Sequence, residues 1–288
     1  MAFAEARTAR QAFQMLDTDI DLDEFGKISS DFVRRELRRP ERPVDEDRSL
    51  QELLNPSVFA SAARVDQIGG WLRQARALLV PDALPADLAE AAHRDLHESN
   101  HWSVAEGGHN FFHYHNSVIL DLEERSPALK ACSRLFKSTA SRSFIVALSG
   151  QDCTGEASVA AAWYRPGEYA LPHDNSAAND PRSVANIWYL TRDWQQEWEG
   201  ALFWCQTGQY ICPKFNVLVM FNVVPSNIHL ICPVAPIAPE KRLTINGFWS
   251  RAERNSPSAS ISPAAVVSPR MYGPPAPVDE ERSPIIVL

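Results

Sequence analysis

Two things are scarce in this chain: an excess of basic charge, and any long apolar run. Lys and Arg number 28 against 36 Asp and Glu, a formal net charge of −8. That balance argues against a nucleic-acid surface, because phosphate contacts need clustered cations. Arg34, Arg35, Arg38 and Arg39 fall close together and read as a solvated helix face. No apolar run approaches the roughly 18 residues that cross a bilayer. Glu5, Arg7 and Arg10 interrupt the stretch where a secretory leader would carry its apolar region. Neither nucleic acid nor a membrane is therefore expected as a partner. Cysteines stand at Cys132, Cys153, Cys205, Cys212 and Cys232 with no CxxC spacing, which excludes a zinc knuckle and a disulfide framework and fits a reduced, cytoplasmic setting. Also missing are GxxxxGK[ST], GxGxxG and GxSxG, so nucleotide, dinucleotide and serine-hydrolase chemistry have no support.

Three zones are present. Residues 1–66 are charged and interrupted, an N-terminal extension expected to be partly helical or mobile, with short helices at Leu50–Leu54 and Val65–Leu79. The spaced Asp17, Asp19, Asp21 and Asp23 lack the Gly and Glu that a calcium loop needs at its sixth and twelfth positions. Residues 67–251 form the folded body, with a short loop and then a helix over Pro81–Leu96 and helical spacing over Lys130–Thr139. Short segments rich in β-branched and aromatic residues follow: SFIVALSG, SVAAAWY, SVANIWYL, ALFWCQT, FNVLVMFNVV, HLICPVA and RLTINGFW. Helices followed by a run of strands predict an α+β protein, mainly β, in which helices flank a jelly-roll core. Residues 252–288 are rich in Pro and Ser and read as a disordered tail with a frayed IIVL end.

Among these strands, one set of residues carries chemistry. Two imidazoles and a carboxylate on one face hold octahedral iron(II) and leave three positions open. Residues two apart on a strand share a face, which pairs His173 with Asn175; His229 opens a later strand. Arg242 follows on the next, where a guanidinium can clamp the far carboxylate of 2-oxoglutarate through two hydrogen bonds. Thr244 faces the same way, and the Tyr164 hydroxyl is within reach of the same carboxylate. Either histidine alone would read as an ordinary polar residue. Their order with Arg242 makes them site candidates.

The ordered series Y-x-P-G-x-Y-x-x-x-H, R-S-V-A-x-I-W-Y-L-T, D-W, E-W-x-G-A-L, P-x-F-N-x-L-V-x-F, a strand-borne His, then K-R-L-T-I-N-G-F-W resembles the prolyl-hydroxylase-like branch of the iron(II)/2-oxoglutarate dioxygenases. The likeness covers about residues 140–250. It implies a double-stranded β-helix, iron(II), 2-oxoglutarate and O2 as cofactor and co-substrates, and decarboxylation of 2-oxoglutarate to succinate and CO2. Hydrogen abstraction from an unactivated C–H bond would normally end in hydroxylation.

One departure stands at the metal. The family has His-x-Asp, whereas this chain has His173, Asp174, Asn175. Asn175 is the in-phase third ligand, and Asp174 is the fallback if the backbone distorts. A deliberate substitution, natural loss of activity, or a weak third position that admits chloride and turns the outcome to halogenation are the other readings. His115 and Asn116, in GGHNFFHYHN, are candidates for substrate contact, and the tryptophans and Cys205, Cys212 and Cys232 read as packing. The expected substrate is a small molecule, an amino acid, or a carrier- or peptide-bound residue. A non-catalytic jelly-roll binding protein and a halogenase or desaturase are the rivals.

Overall fold

A computed structural model of the chain describes residues 48–109, 112–175, 181–252, 283 and 285–288. The spaced aspartates, the Arg34–Arg39 patch and most of the Pro/Ser-rich tail lie outside the described residues.

Among the described residues five α-helices precede or interrupt the early strands: α1 (Leu50–Leu53), α2 (Ala62–Arg73), α3 (Ala86–Glu98), α4 (Pro127–Lys137) and α5 (Thr139–Ser149). The strands are β1 (Ala77–Val80), β2 (Ser103–His109), β3 (Phe112–Ile119), β4 (Ala157–Tyr164), β5 (Tyr169–His173), β6 (Arg182–Tyr189), β7 (Leu202–Trp204), β8 (Gln209–Ile211), β9 (Val217–Asn222), β10 (His229–Ile231), β11 (Arg242–Ser250) and β12 (Ile285–Val287). Their hydrogen-bonded order is β12-β1-β9-β6-β11-β4-β3-β5-β10-β7-β8, with β2 paired to β3. All contacts between neighbouring strands are antiparallel except β1 with β12.

This sheet curls over on itself. Trp204 on β7 and Phe221 on β9 stand well apart in the order, yet their rings meet edge to face at 5.2 Å. An inner cluster joins Ala185, Tyr189, Val219 and Phe221 from one half to Ala170, Leu202, Ile211 and Ile231 from the other. The outer face of the first half carries Val184, Trp188, Leu218, Met220, Leu243, Ile245 and Trp249 against the helices. Every residue of β9 is buried, because helices cover one face and the curled sheet the other. The expected jelly-roll core is the architecture observed.

Several local expectations are corrected. SFIVALSG is helix α5, not a strand: Ser138 caps it by accepting from the Ser141 amide, Gly150 closes it at φ +70°, and Phe144, Ile145 and Leu148 fall on one buried face. The predicted helix over Val65–Leu79 stops at Arg73, after which Ala77–Val80 pairs with β9 as β1. A break between extension and body at residue 66 is not observed, since α2 runs through it and Leu50, Leu54 and Val58 share the main core with Ile68 and Leu72. The IIVL end is not frayed, because Ile285–Val287 pairs in parallel with β1 and the Leu288 amide donates to Leu79 O at 2.9 Å. Four apolar residues satisfy their backbone by completing a sheet edge.

Two residues of the motif series are explained by packing. Gly247 stands where a Cβ would lie 1.8 Å from Ser158 O, so only glycine lets β11 close on β4. Asn216 holds φ +56° just before β9 and is fully buried. Its Oδ1 accepts from the Trp188 indole at 3.0 Å and the Leu84 amide at 3.2 Å, while its Nδ2 donates to Leu84 O at 2.8 Å. Asn216→Ala strands those groups and is expected to lower stability by about 2–4 kcal/mol, read by urea unfolding. A loss under about 0.5 kcal/mol would show that this amide does not tie the helices to the sheet.

Candidate functional site

The inner face of the curled sheet brings His173 and His229 together. The two are cross-strand partners on β5 and β10, with ring centroids 4.4 Å apart at 56°. Ala170 opposes Ile231 while His173 opposes His229, so three steps along β5 match two along β10. That bulge inserts one residue and re-aims His173 toward the face that Ala170 also occupies. His229 is sealed in: Trp204 stacks on it at 5.7 Å and 11°, and Phe221 meets it edge-on at 5.0 Å.

Both rings carry the tautomer of a metal ligand. His173 Nδ1 lies 2.7 Å from Leu171 O, and His229 Nδ1 lies 2.8 Å from Asn227 O. A carbonyl only accepts, so each Nδ1 bears the proton and each Nε2 keeps its lone pair. Burial pushes both pKa values down, His229 to about 3, with the neighbouring His173 adding to the effect. Both imidazoles are neutral at pH 7.

Asn175 reaches the pair by a route that strand alternation does not describe. β5 ends at His173, and Asn175 turns back at φ +61°, a conformation that Asn tolerates better than most residues. Its Nδ2 stands 3.4 Å from His229 Nε2, while its Oδ1 accepts from Arg182 Nη1 at 3.1 Å. Asp174, the fallback ligand, lies close enough for its charge to act on His173. Among the described residues no group of three His, Cys, Asp or Glu is gathered as a metal site.

Arg242 opens β11 opposite Tyr164 and is almost wholly buried. Its guanidinium carbon lies 4.8 Å from the centre of the Tyr164 ring and 5.4 Å from that of Tyr189. Nε donates to Gly200 O, and Gly200, at φ +67°, leaves room for the Arg242 stem where a Cβ would press on Cδ at 3.0 Å. Among the described residues Nη2 meets no acceptor in full hydrogen-bond geometry; the Tyr189 hydroxyl is its near neighbour, and burial raises that phenol while the Arg242 charge and a side-chain interaction with Arg242 lower it. Burial raises the Tyr164 phenol to about 12 despite Arg242, so it stays a donor. Thr244 is buried on the same face of β11 and donates to Asn246 Oδ1 at 3.2 Å.

The two substrate-contact candidates are not brought together. Neighbours on a strand face opposite ways: Tyr114 packs on the inner cluster, which puts Asn116 on that side and His115 on the other. His115 Nδ1 lies 3.4 Å from the buried Glu168 carboxylate. Residues missed by sequence reasoning are Arg182, Tyr189 and Tyr114, together with the ring contacts that Trp204 and Phe221 make to His229. Arg182 opens the R-S-V-A segment, where nothing in the sequence marks it for a site role.

The profile of the 2OG-Fe(II) oxygenase superfamily matches residues 159–250. A sequence search among curated proteins gives no match. Solved structures share the fold: a Pseudomonas putida prolyl-4-hydroxylase at 18% identity and TM-score 0.51, covering 65% of this chain and 98% of that one. A Phytophthora capsici prolyl 4-hydroxylase matches at 18% and 0.51, covering 78% and 72%. A Trichoplax adhaerens prolyl hydroxylase, solved with a hypoxia inducible factor peptide, matches at 16% and 0.50, covering 65% and 91%. No helix among the described residues is long and apolar enough to cross a membrane.

The superfamily works with iron(II), 2-oxoglutarate and dioxygen, and the donors here fit that set at two points. Two neutral imidazoles face one another, and a buried guanidinium has an unmet donor. The third position holds an amide rather than a carboxylate. Because the folded chain excludes imidazole protons that the unfolded chain binds, stability is full above the ordinary value of 6.5 and falls as pH drops toward about 3. The loss attributable to His229 by pH 4.5 is expected to be on the order of 2 kcal/mol. Urea unfolding across that window measures it. His229→Gln should flatten the slope, and an unchanged slope would remove His229 as its cause.

Proposed function

Taking residues 159–250 as a 2OG-Fe(II) oxygenase domain, we propose that the chain hydroxylates an unactivated C–H bond. Its substrate class is an amino acid, a peptidyl or carrier-bound residue, or a secondary metabolite. The observation that carries this reading is the Arg242 guanidinium, buried beside two tyrosine rings with Nη2 unmatched, on a sheet whose inner face also presents His173 and His229. A buried cation without a carboxylate is costly, and a dicarboxylate co-substrate would relieve it.

In this reading His173 and His229 hold iron(II) through Nε2, with their Nδ1 protons anchored on backbone carbonyls. When bound, iron with 2-oxoglutarate and dioxygen supplies the oxidising power, and the oxo-acid leaves as succinate and CO2. Arg242 binds the far carboxylate with Nη2, and the Tyr164 phenol and the Thr244 hydroxyl are the further donors proposed for it. Trp204 and Phe221 keep water from His229, and Asn116 is the candidate that faces substrate. His115 is retained only as an outer contact, through Glu168.

A second reading is a binding protein that takes up 2-oxoglutarate without turnover. The favouring observation is Asn175, whose oxygen is engaged by Arg182.

Anaerobic titration with iron(II) and 2-oxoglutarate tests both readings, on this chain and on Asn175→Asp. The weak visible charge-transfer band of the ternary complex is expected in each. Arg242→Met should weaken 2-oxoglutarate binding about 100-fold, the loss of a charge-assisted pair worth about 3 kcal/mol. A band followed by succinate release supports the oxygenase. Binding without succinate supports the second reading, and no band in either protein overturns the metal site.

A further inference from the structure

The Asn175 amide is held at both ends. A guanidinium has donors only, so the end of the carboxamide that Arg182 meets at 3.1 Å must be the oxygen. The amino end then faces His229 Nε2 at 3.4 Å, the lone pair left by the Nδ1 bond to Asn227. An amide N–H therefore rests against the atom that has to reach a metal. Turning the amide to offer its oxygen would set its amino group against the donor-only guanidinium.

Arg182 is itself fixed. It opens β6 opposite Ser250, and its guanidinium carbon stands 4.6 Å from the centre of the Phe248 ring on β11. Phe248 lies on the inner face of that strand, with Arg242, Thr244 and Asn246. The residue that aims the amide is thus braced on the strand that carries the proposed co-substrate clamp.

We propose that Arg182 is a positioning residue: it fixes the Asn175 carboxamide with its oxygen turned away from the imidazole pair, and so governs how readily the third protein position joins a bound metal. The part that concerns metal rests on the reading of His173 and His229 as iron ligands. Loading the site requires the amide to rotate or withdraw, and Arg182 opposes rotation. The chain has then exchanged a permanent anionic ligand for a neutral one under the control of a second side chain.

The test is a double-mutant comparison with cobalt(II) as probe, read by its visible absorption and by affinity rather than by turnover. Arg182→Gln is expected to tighten cobalt(II) binding about tenfold, equivalent to about 1.4 kcal/mol, and to change the band shape as the amide oxygen enters. In an Asn175→Ala background the same substitution should change affinity less than about threefold, because the interaction it relieves is gone. Equal tightening in both backgrounds would mean that Arg182 acts by charge alone, and overturns the proposal.

A second readout needs no metal. The side-chain amide resonances of Asn175 should move toward the values of an unrestrained carboxamide in Arg182→Gln. Resonances that stay in place overturn the proposal whatever cobalt does. If no variant binds cobalt(II), Asn175→Asp included, but the resonances move, the iron-site reading fails and Arg182 stands as the residue that positions the amide.

Discussion

A cation buried with no carboxylate partner among the described residues is the constraint around which this structure is arranged. Arg242 stands inside the curled sheet with a single carbonyl acceptor on Nε, two tyrosine rings nearby and one nitrogen unmatched. Desolvating such a group costs several kcal/mol. The Tyr164 and Tyr189 faces recover part of it through their negative quadrupoles. Gly200 yields space for the stem, and Gly247 lets β11 approach β4 closely. The motif glycines and aromatics thus serve one end, presenting a guanidinium to something that brings negative charge.

The imidazole pair obeys the opposite rule. Where the arginine keeps its charge in the interior, His173 and His229 are kept neutral there, each with one nitrogen spent on a backbone carbonyl. Burial disfavours the charged form of both residue types, but only imidazole has an accessible neutral state near pH 7. The same low-dielectric lining therefore holds one fixed cation and a pair of neutral imidazoles with free lone pairs.

How much of this was legible depended on whether the signal was local chemistry or three-dimensional register. His173, His229 and Arg242 were legible because such side chains are rare among β-branched and aromatic runs, and their order was that of a known family. Jelly-roll strands from β4 onward were legible as runs rich in β-branched and aromatic residues set between turn-forming residues. Helix α5 was not: its run of Phe144, Ile145, Val146 and Leu148 suits a strand as well, and only the Ser138 cap and Gly150 decide it. The β2–β3 hairpin hid among histidines and glycines that carry no alternation. Asn175 does come close to His229, but not for the reason strand alternation gave, since it arrives by a left-handed turn and not along the strand. Arg182 could not have been found, because its meaning comes from a partner across the turn that follows β5.

The bulge between β5 and β10 has a consequence for how such a site is inherited. Register, unlike side-chain identity, is written in the number of residues. Between Ala170 and His173 the chain spends one residue more than its partner strand, and that surplus alone sets which way the imidazole points. Removing it would leave both histidines in the sequence and still turn His173 away from His229. A protein of this construction can abandon its centre through a single-codon deletion that no inspection of its histidines would reveal.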